Sequence, residues 1–145
     1  MAWTMSLFLA SAVGLTFPDV KGAGSEPPSP KMQDELAKAK LVAARQTYEA
    51  FCRNRDYSDV EIAYRWSCRW LEAQRQLSGK QEDWVAAYQG HRERMRDLEQ
   101  LTRRLLNKKI ITIDQVHAAG YYVAEAEVWL LQTKEYGREG QAARR

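Results

Sequence analysis

Three features of this chain predict an all-α fold. No proline follows Pro30, apolar residues recur three and four positions apart, and helix-capping signatures punctuate the run. The pattern occurs twice, in "YSDVEIAYRWSCRWLEAQRQL" from Tyr57 and "ITIDQVHAAGYYVAEAEVWLL" from Ile111. Glu72, Ala73 and Leu77 of the first stretch lie over Glu125, Ala126 and Leu130 of the second at one constant offset. The expected architecture is therefore elongated: two antiparallel helical hairpins in tandem, in coiled-coil packing, joined through a long central helix.

Ser29-Pro30 reads as a helix start, with Ser at the N-cap and Pro at the first helical position. Ala37, Leu41, Ala44, Tyr48 and Phe51 then form one apolar stripe. "RNRD" (53–56) interrupts it, and Ser58 with Glu61 forms a capping box that restarts a helix. Ala63, Trp66, Trp70, Ala73 and Leu77 carry the second stripe. Gly79 looks like a stop, yet positions seven apart keep phase across it: Ala63, Trp70, Leu77, Trp84, His91, Leu98 and Leu105. Glycine inside a helix costs only about 1 kcal/mol relative to alanine. One helix from about Asp59 to about Leu106 is therefore expected, roughly 70 Å long at helical rise. A break at Ser78-Gly79 is the alternative and would give four helices of ordinary length. On the continuous reading, Gly79→Ala stabilises. "NKKI" (107–110) is the next turn, and Thr112 with Gln115 makes a second capping box. Ile113, Val116, Ala119, Val123, Ala126 and Leu130 form the last stripe, and Gly137 is expected to cap the helix C-terminus. The helical domain thus covers 31–137, followed by a frayed tail over 138–145.

The N-terminus differs in character. An apolar run from Met5 to Leu9 continues weakly to Leu15, and Ala10-Ser11-Ala12 fits the small-x-small rule for signal-peptidase cleavage. Residues 1–16 are therefore expected to be an export signal, with an unstructured leader as the alternative. Residues 17–30, rich in Pro and Gly, read as a linker. Localisation would be periplasmic or secreted. No later segment approaches the roughly 20 apolar residues of a membrane span. Lys and Arg number 22 against 19 Asp and Glu, a net charge of +3. That balance argues against a dedicated nucleic-acid surface, which shows as a clustered basic stripe.

A capped "S/T-x-x-D/E" start followed by Ala-rich stripe positions resembles the periplasmic helical hairpins of TolC-like outer-membrane efflux proteins. The matching residues are Tyr48, Ser58, Glu61, Ala63, Glu72, Ala73 and Leu77, and then Thr112, Gln115, Val116, Ala119, Ala126 and Leu130. The match covers about 35–132. The turn glycine of those hairpins is absent here, and no run alternates as a membrane strand must. The resemblance implies hairpin geometry in an exported compartment, not a channel. The patterns "YRWSCRW" and "YYVAEAEVWL" also resemble small exported helical proteins.

Chemistry is sparsely signalled. Cys52 and Cys68 are expected to be unbridged: with the hairpin turn at Arg53–Tyr57, Cys52 faces about position 60. Cys68 is then about 12 Å further along the axis, whereas a disulfide needs Cα atoms within about 7 Å. Neither His91 nor His117 has another His or Cys one helical turn away, so no metal site or other cofactor is expected. Glu82-Asp83, Glu93/Asp97 and Glu125/Glu127 alternate with Arg and Lys, as on a solvated face. Tyr64, Leu71, Tyr121, Val128 and Leu131 lie off the main stripes and are the candidate interaction surface. Changing Leu71 and Leu131 together to Glu is expected to leave helicity intact and abolish association. The function expected is a non-enzymatic exported module that self-associates or binds a protein partner through helix faces. A thiol- or metal-dependent enzyme or sensor using Cys52 or His91 is the alternative. A weak nucleic-acid binder, stacking bases on the Arg-Trp run 65–70, is third.

Overall fold

The computed structural model describes residues 29–54 and 59–142. The expected export signal, most of the linker, Ser58 and residues 143–145 lie outside the described residues. Four helices and no strand occur among the residues described: α1 (Pro30–Asn54), α2 (Val60–Leu77), α3 (Gln81–Asn107) and α4 (Ile113–Ala142). The all-α expectation holds. No helix of the described residues is long and apolar enough to cross a membrane.

The long central helix does not form. Ser78 takes an extended backbone, φ −142° and ψ 134°, and Lys80 does likewise. Ser78 organises the break: its Oγ accepts from the Lys80 N–H at 3.1 Å and donates to Asp83, and its carbonyl accepts from the Trp84 indole. The chain then reverses, so α3 runs back along α2. Phase persisted across Gly79 because α2 and α3 face one core, and this preserves spacing without requiring a continuous helix. A Cβ added at Gly79 would meet nothing within 4 Å, and its φ is not positive. Gly79→Ala therefore carries no information about continuity.

α1 packs on α2, α2 on α3, and α3 on α4, with a smaller contact between α2 and α4. Among the described residues α1 makes no close backbone approach to α4. The two hairpins lie side by side, not end to end. α4 spans about 45 Å at helical rise, and this sets the length of the bundle. α2 sits at the centre and is covered on two sides. Trp66, Trp70 and Ala73 pack toward α1, while Ser67 and Leu71 are buried beneath α3 and α4. This corrects the placement of Leu71: it is 4% exposed and belongs to the core, because the reversal at Gly79 covers the face that a continuous helix would leave bare. The central core is lined by small residues, Ala63, Ala119 and Ala126 at 0% exposure, which allow close helix approach around Met95 and Leu98. A second cluster of Leu105, Ile111 and Val116 closes the α3–α4 end.

The caps differ in detail from expectation. Ser29 Oγ accepts from the Met32 N–H at 3.3 Å, as predicted for α1. The α2 N-cap is Asp59, whose carboxylate accepts from the Glu61 N–H at 2.9 Å. Gln115 reaches back to the Thr112 N–H at 3.1 Å, completing one arm of the second box. Gly137 is not a cap: α4 continues through it to Ala142, past the predicted stop. Glycine allows a close approach there: a Cβ would sit 2.9 Å from the Gln81 side chain, which bonds to the Thr133 carbonyl and would have to shift.

The α3 C-terminus is a Schellman turn. The Ile110 N–H donates to the Leu105 carbonyl at 3.0 Å and the Lys109 N–H to the Leu106 carbonyl at 2.8 Å. Lys109 occupies the left-handed position, with φ 58°. A Cβ is strained there, by roughly 1 kcal/mol. Lys109→Gly is therefore expected to stabilise the protein by about 1 kcal/mol, read as a raised midpoint in urea with an unchanged slope. A lowered midpoint would count against this turn geometry.

Candidate functional site

Three places in the bundle carry more than ordinary packing. The first is a polar knot in the core. Ser67 and His91 are both fully buried, and Ser67 Oγ lies 2.8 Å from His91 Nδ1. Arg94 Nε donates to the same Oγ at 2.7 Å and its Nη2 to the Ser67 carbonyl at 3.3 Å. The Ser67 Oγ can accept from Arg94 and still either donate to Nδ1 or accept from it, so the bond is compatible with both neutral tautomers of the imidazole. Nε2 has no hydrogen-bond partner among the described residues. Its ring stacks on Trp129, with centroids 5.6 Å apart. Burial, reinforced by the Arg94 charge, lowers the His91 pKa to about 4, so the ring is neutral at pH 7. Arg94 is itself lowered by burial to about 10 and stays charged. Its guanidinium lies over Trp70 at 4.0 Å. A serine joined to a histidine has the outline of a nucleophile and base. Here the Ser67 hydroxyl has no path to a substrate, and the arrangement ties α2 to α3.

The second place is an open groove of about 550 Å³ between α2, α3 and α4, lined by Cys68, Arg75, Trp84, Tyr88, Trp129 and Tyr136 among others. Arg75 lies over Trp84 at 5.5 Å and Tyr88 at 5.4 Å. Neither Cys52 nor Cys68 is in a disulfide, and partial burial raises the pKa of each, away from the reactive thiolate. No group of three or more potential metal ligands occurs among the described residues. The Arg-Trp run 65–70 is largely engaged within the bundle. Arg69 covers Trp66 at 4.4 Å, and Arg45 and Arg94 flank Trp70.

The third place is the outer face of α4. Between 115 and 131 the exposed positions are His117, Tyr121, Ala124, Val128 and Leu131 alone. They are spaced four, three, four and three apart, the period of a coiled-coil seam. Tyr121 is 65% exposed, Val128 50% and Leu131 58%. The corresponding solvent positions of α2 are Glu61, Arg65, Arg69, Glu72, Arg75 and Gln76. On α3 they include Glu93, Arg96, Asp97, Gln100 and Arg103. α1 also exposes Met32, Leu36 and Val42, but among lysines and acidic residues, whereas α4 between Tyr121 and Leu131 exposes no charged residue.

Of the five residues singled out in the sequence, Tyr121, Val128 and Leu131 share this face. Leu71 is core, and Tyr64 is turned inward. Tyr64 stacks on Tyr122 with centroids 4.0 Å apart, and its hydroxyl donates to Glu125. Burial, followed by that carboxylate, raises the Tyr64 pKa. His117 and Ala124 were missed as members of the seam, although their spacing from Tyr121 is visible in the sequence. Ser67 and Arg94 were missed because only the helix reversal brings them together. No family model, curated protein or solved structure matches the chain.

Proposed function

We propose that this chain is a non-enzymatic helical interaction module of an exported compartment, presenting the outer face of α4 to another protein chain. One observation carries the reading. The solvent faces of α2 and α3 are rich in charge, while that of α4 is an apolar seam from Tyr121 to Leu131. An exposed helix that is apolar all round lacks a cover, and a contiguous exposed apolar patch marks an interaction site. The raised pKa of the two half-buried thiols and the enclosed Ser67 favour this reading over a thiol-dependent or hydrolytic enzyme. The arginines committed to Trp66 and Trp70 favour it over base stacking.

The test is site-specific photocrosslinking in cells expressing the full chain. A benzophenone amino acid at Val128 is expected to give discrete protein adducts, whereas the same probe at Gln100, on the polar face of α3, gives none. Equal labelling from the two positions would overturn the reading.

A further inference from the structure

The outer seam of α4 is self-complementary. Past Leu131 the positions Gln132, Lys134, Glu135 and Tyr136 are all exposed, and Glu135 is the one that continues the period. With it the spacing from 117 to 135 reads four, three, four, three, four, the same in both directions. Lay a second α4 antiparallel across it with the two-fold axis at the level of Ala126. Every member then meets a member: His117 faces Glu135, Tyr121 faces Leu131, and Ala124 faces Val128, each pair occurring twice. Large side chains oppose small or flexible ones in the central layers, and an imidazole opposes a carboxylate at both ends. The parallel alternative sets Tyr121 on Tyr121, Ala124 on Ala124 and Glu135 on Glu135, which crowds one layer, empties another and repels at a third.

The carboxylates beside the axis are already held within one chain. Glu127 pairs with Arg96 at 2.5 Å and lies 3.9 Å from Arg92, and Glu125 accepts from Tyr64 and Tyr121. The charge of Glu127 is therefore offset within its own chain, whereas Glu125 keeps its charge beside the axis.

We propose that this seam binds the same seam of a second copy, forming an antiparallel two-fold helix pair through Tyr121, Ala124, Val128 and Leu131. The proposal rests on the reading of α4 as an interaction face and names its occupant. It follows the rule that a two-fold interface buries one patch on both subunits, with knobs-into-holes packing between apolar seams. The paired segment is about 27 Å long at helical rise, so association is expected to be reversible and concentration-dependent.

Sedimentation equilibrium of the full chain from micromolar to submillimolar concentration tests it. The expected result is a rise from the mass of one chain to twice that mass. Val128→Glu and, independently, Tyr121→Lys should hold the mass at one chain with far-ultraviolet circular dichroism unchanged. Register is read by mixing Ala124→Cys with Val128→Cys chains, each carrying Cys52→Ala and Cys68→Ala, under mild oxidation. Mixed disulfides between the two variants support the antiparallel register. Disulfides formed only between identical variants would overturn it. A single-chain mass throughout the range would overturn self-pairing, yet leave the interaction reading intact if Val128 still gives photoadducts to other proteins. Loss of photoadducts at Val128 together with a persistent dimer would instead remove α4 as the interface.

Discussion

Leu71→Glu is expected to unfold the bundle, while Leu131→Glu is expected to leave it folded. The two leucines looked equivalent in the sequence, both lying off the main stripe. In the structure Leu71 is 4% exposed beneath α3 and α4, and Leu131 is 58% exposed on the outer face of α4. Placing a carboxylate at 71 removes a buried apolar side chain, which costs about 2–5 kcal/mol. It also desolvates a carboxylate at a position only 4% exposed, a cost that Arg75, one helical turn on and lining the same groove, offsets only in part. The sum is comparable to the roughly 5–15 kcal/mol that holds an ordinary domain together. At 131 the change is expected to stay within about 0.5 kcal/mol, as surface substitutions do. Urea unfolding followed by circular dichroism measures both. The double substitution is therefore expected to fail through residue 71 alone. Equal tolerance at both positions would mean that α3 and α4 do not cover α2.

Acid should weaken this protein through His91. The sign follows from the direction of its shift. The folded-state pKa is lowered from 6.5 to about 4 by burial and then by Arg94, so the unfolded chain binds the proton more readily. Stability is complete above pH 6.5, falls as pH drops between 6.5 and 4, and levels off below. A shift of this size corresponds to about 3 kcal/mol across that window. His91→Asn keeps an acceptor for the Ser67 hydroxyl but removes the titration. The variant is expected to be less stable than wild type at pH 7.5, through lost contact with Trp129. The gap between the two proteins should narrow as pH falls to 4. Paired urea titrations at pH 7.5, 5.5 and 4 supply the comparison. A constant gap would mean that His91 does not titrate from a buried neutral state.

Much of the local structure was legible in the chain itself. Ser29-Pro30, the Thr112-Gln115 box and the "NKKI" turn all mark helix boundaries where they occur, because caps and turns are decided by groups within a few residues. The stripe Ala44, Tyr48, Ala63, Met95, Ala126 and Leu130 is buried, and all of these except Met95 lie on the expected helical periods. The outer seam of α4 was partly visible as Tyr121, Val128 and Leu131. The separation of Cys52 from Cys68 followed from the expected turn at Arg53–Tyr57 together with helical rise, and the two are not bridged.

The course of the chain at Gly79 was decided elsewhere. Heptad phase records which side of a helix faces apolar neighbours, and it is blind to whether two helices that face one core are joined straight or folded back. Ser78, Asp83 and Trp84 hold the turn locally, but that α3 folds back rather than continuing rests on its packing against α2 and α4. From the reversal follow the burial of Leu71, the joining of Ser67 to His91 and Arg94, and the inward turn of Tyr64 onto Tyr122. Gly137 shows the same division: as a residue it suggested a helix end, but its close approach to Gln81 across the bundle gives it a place inside α4. The sequence by itself determined that this protein is helical, where most helices begin, and which residues are apolar. The tertiary structure alone decided which of those apolar residues are covered, because burial depends on what packs against a face, and packing partners lie far away along the chain.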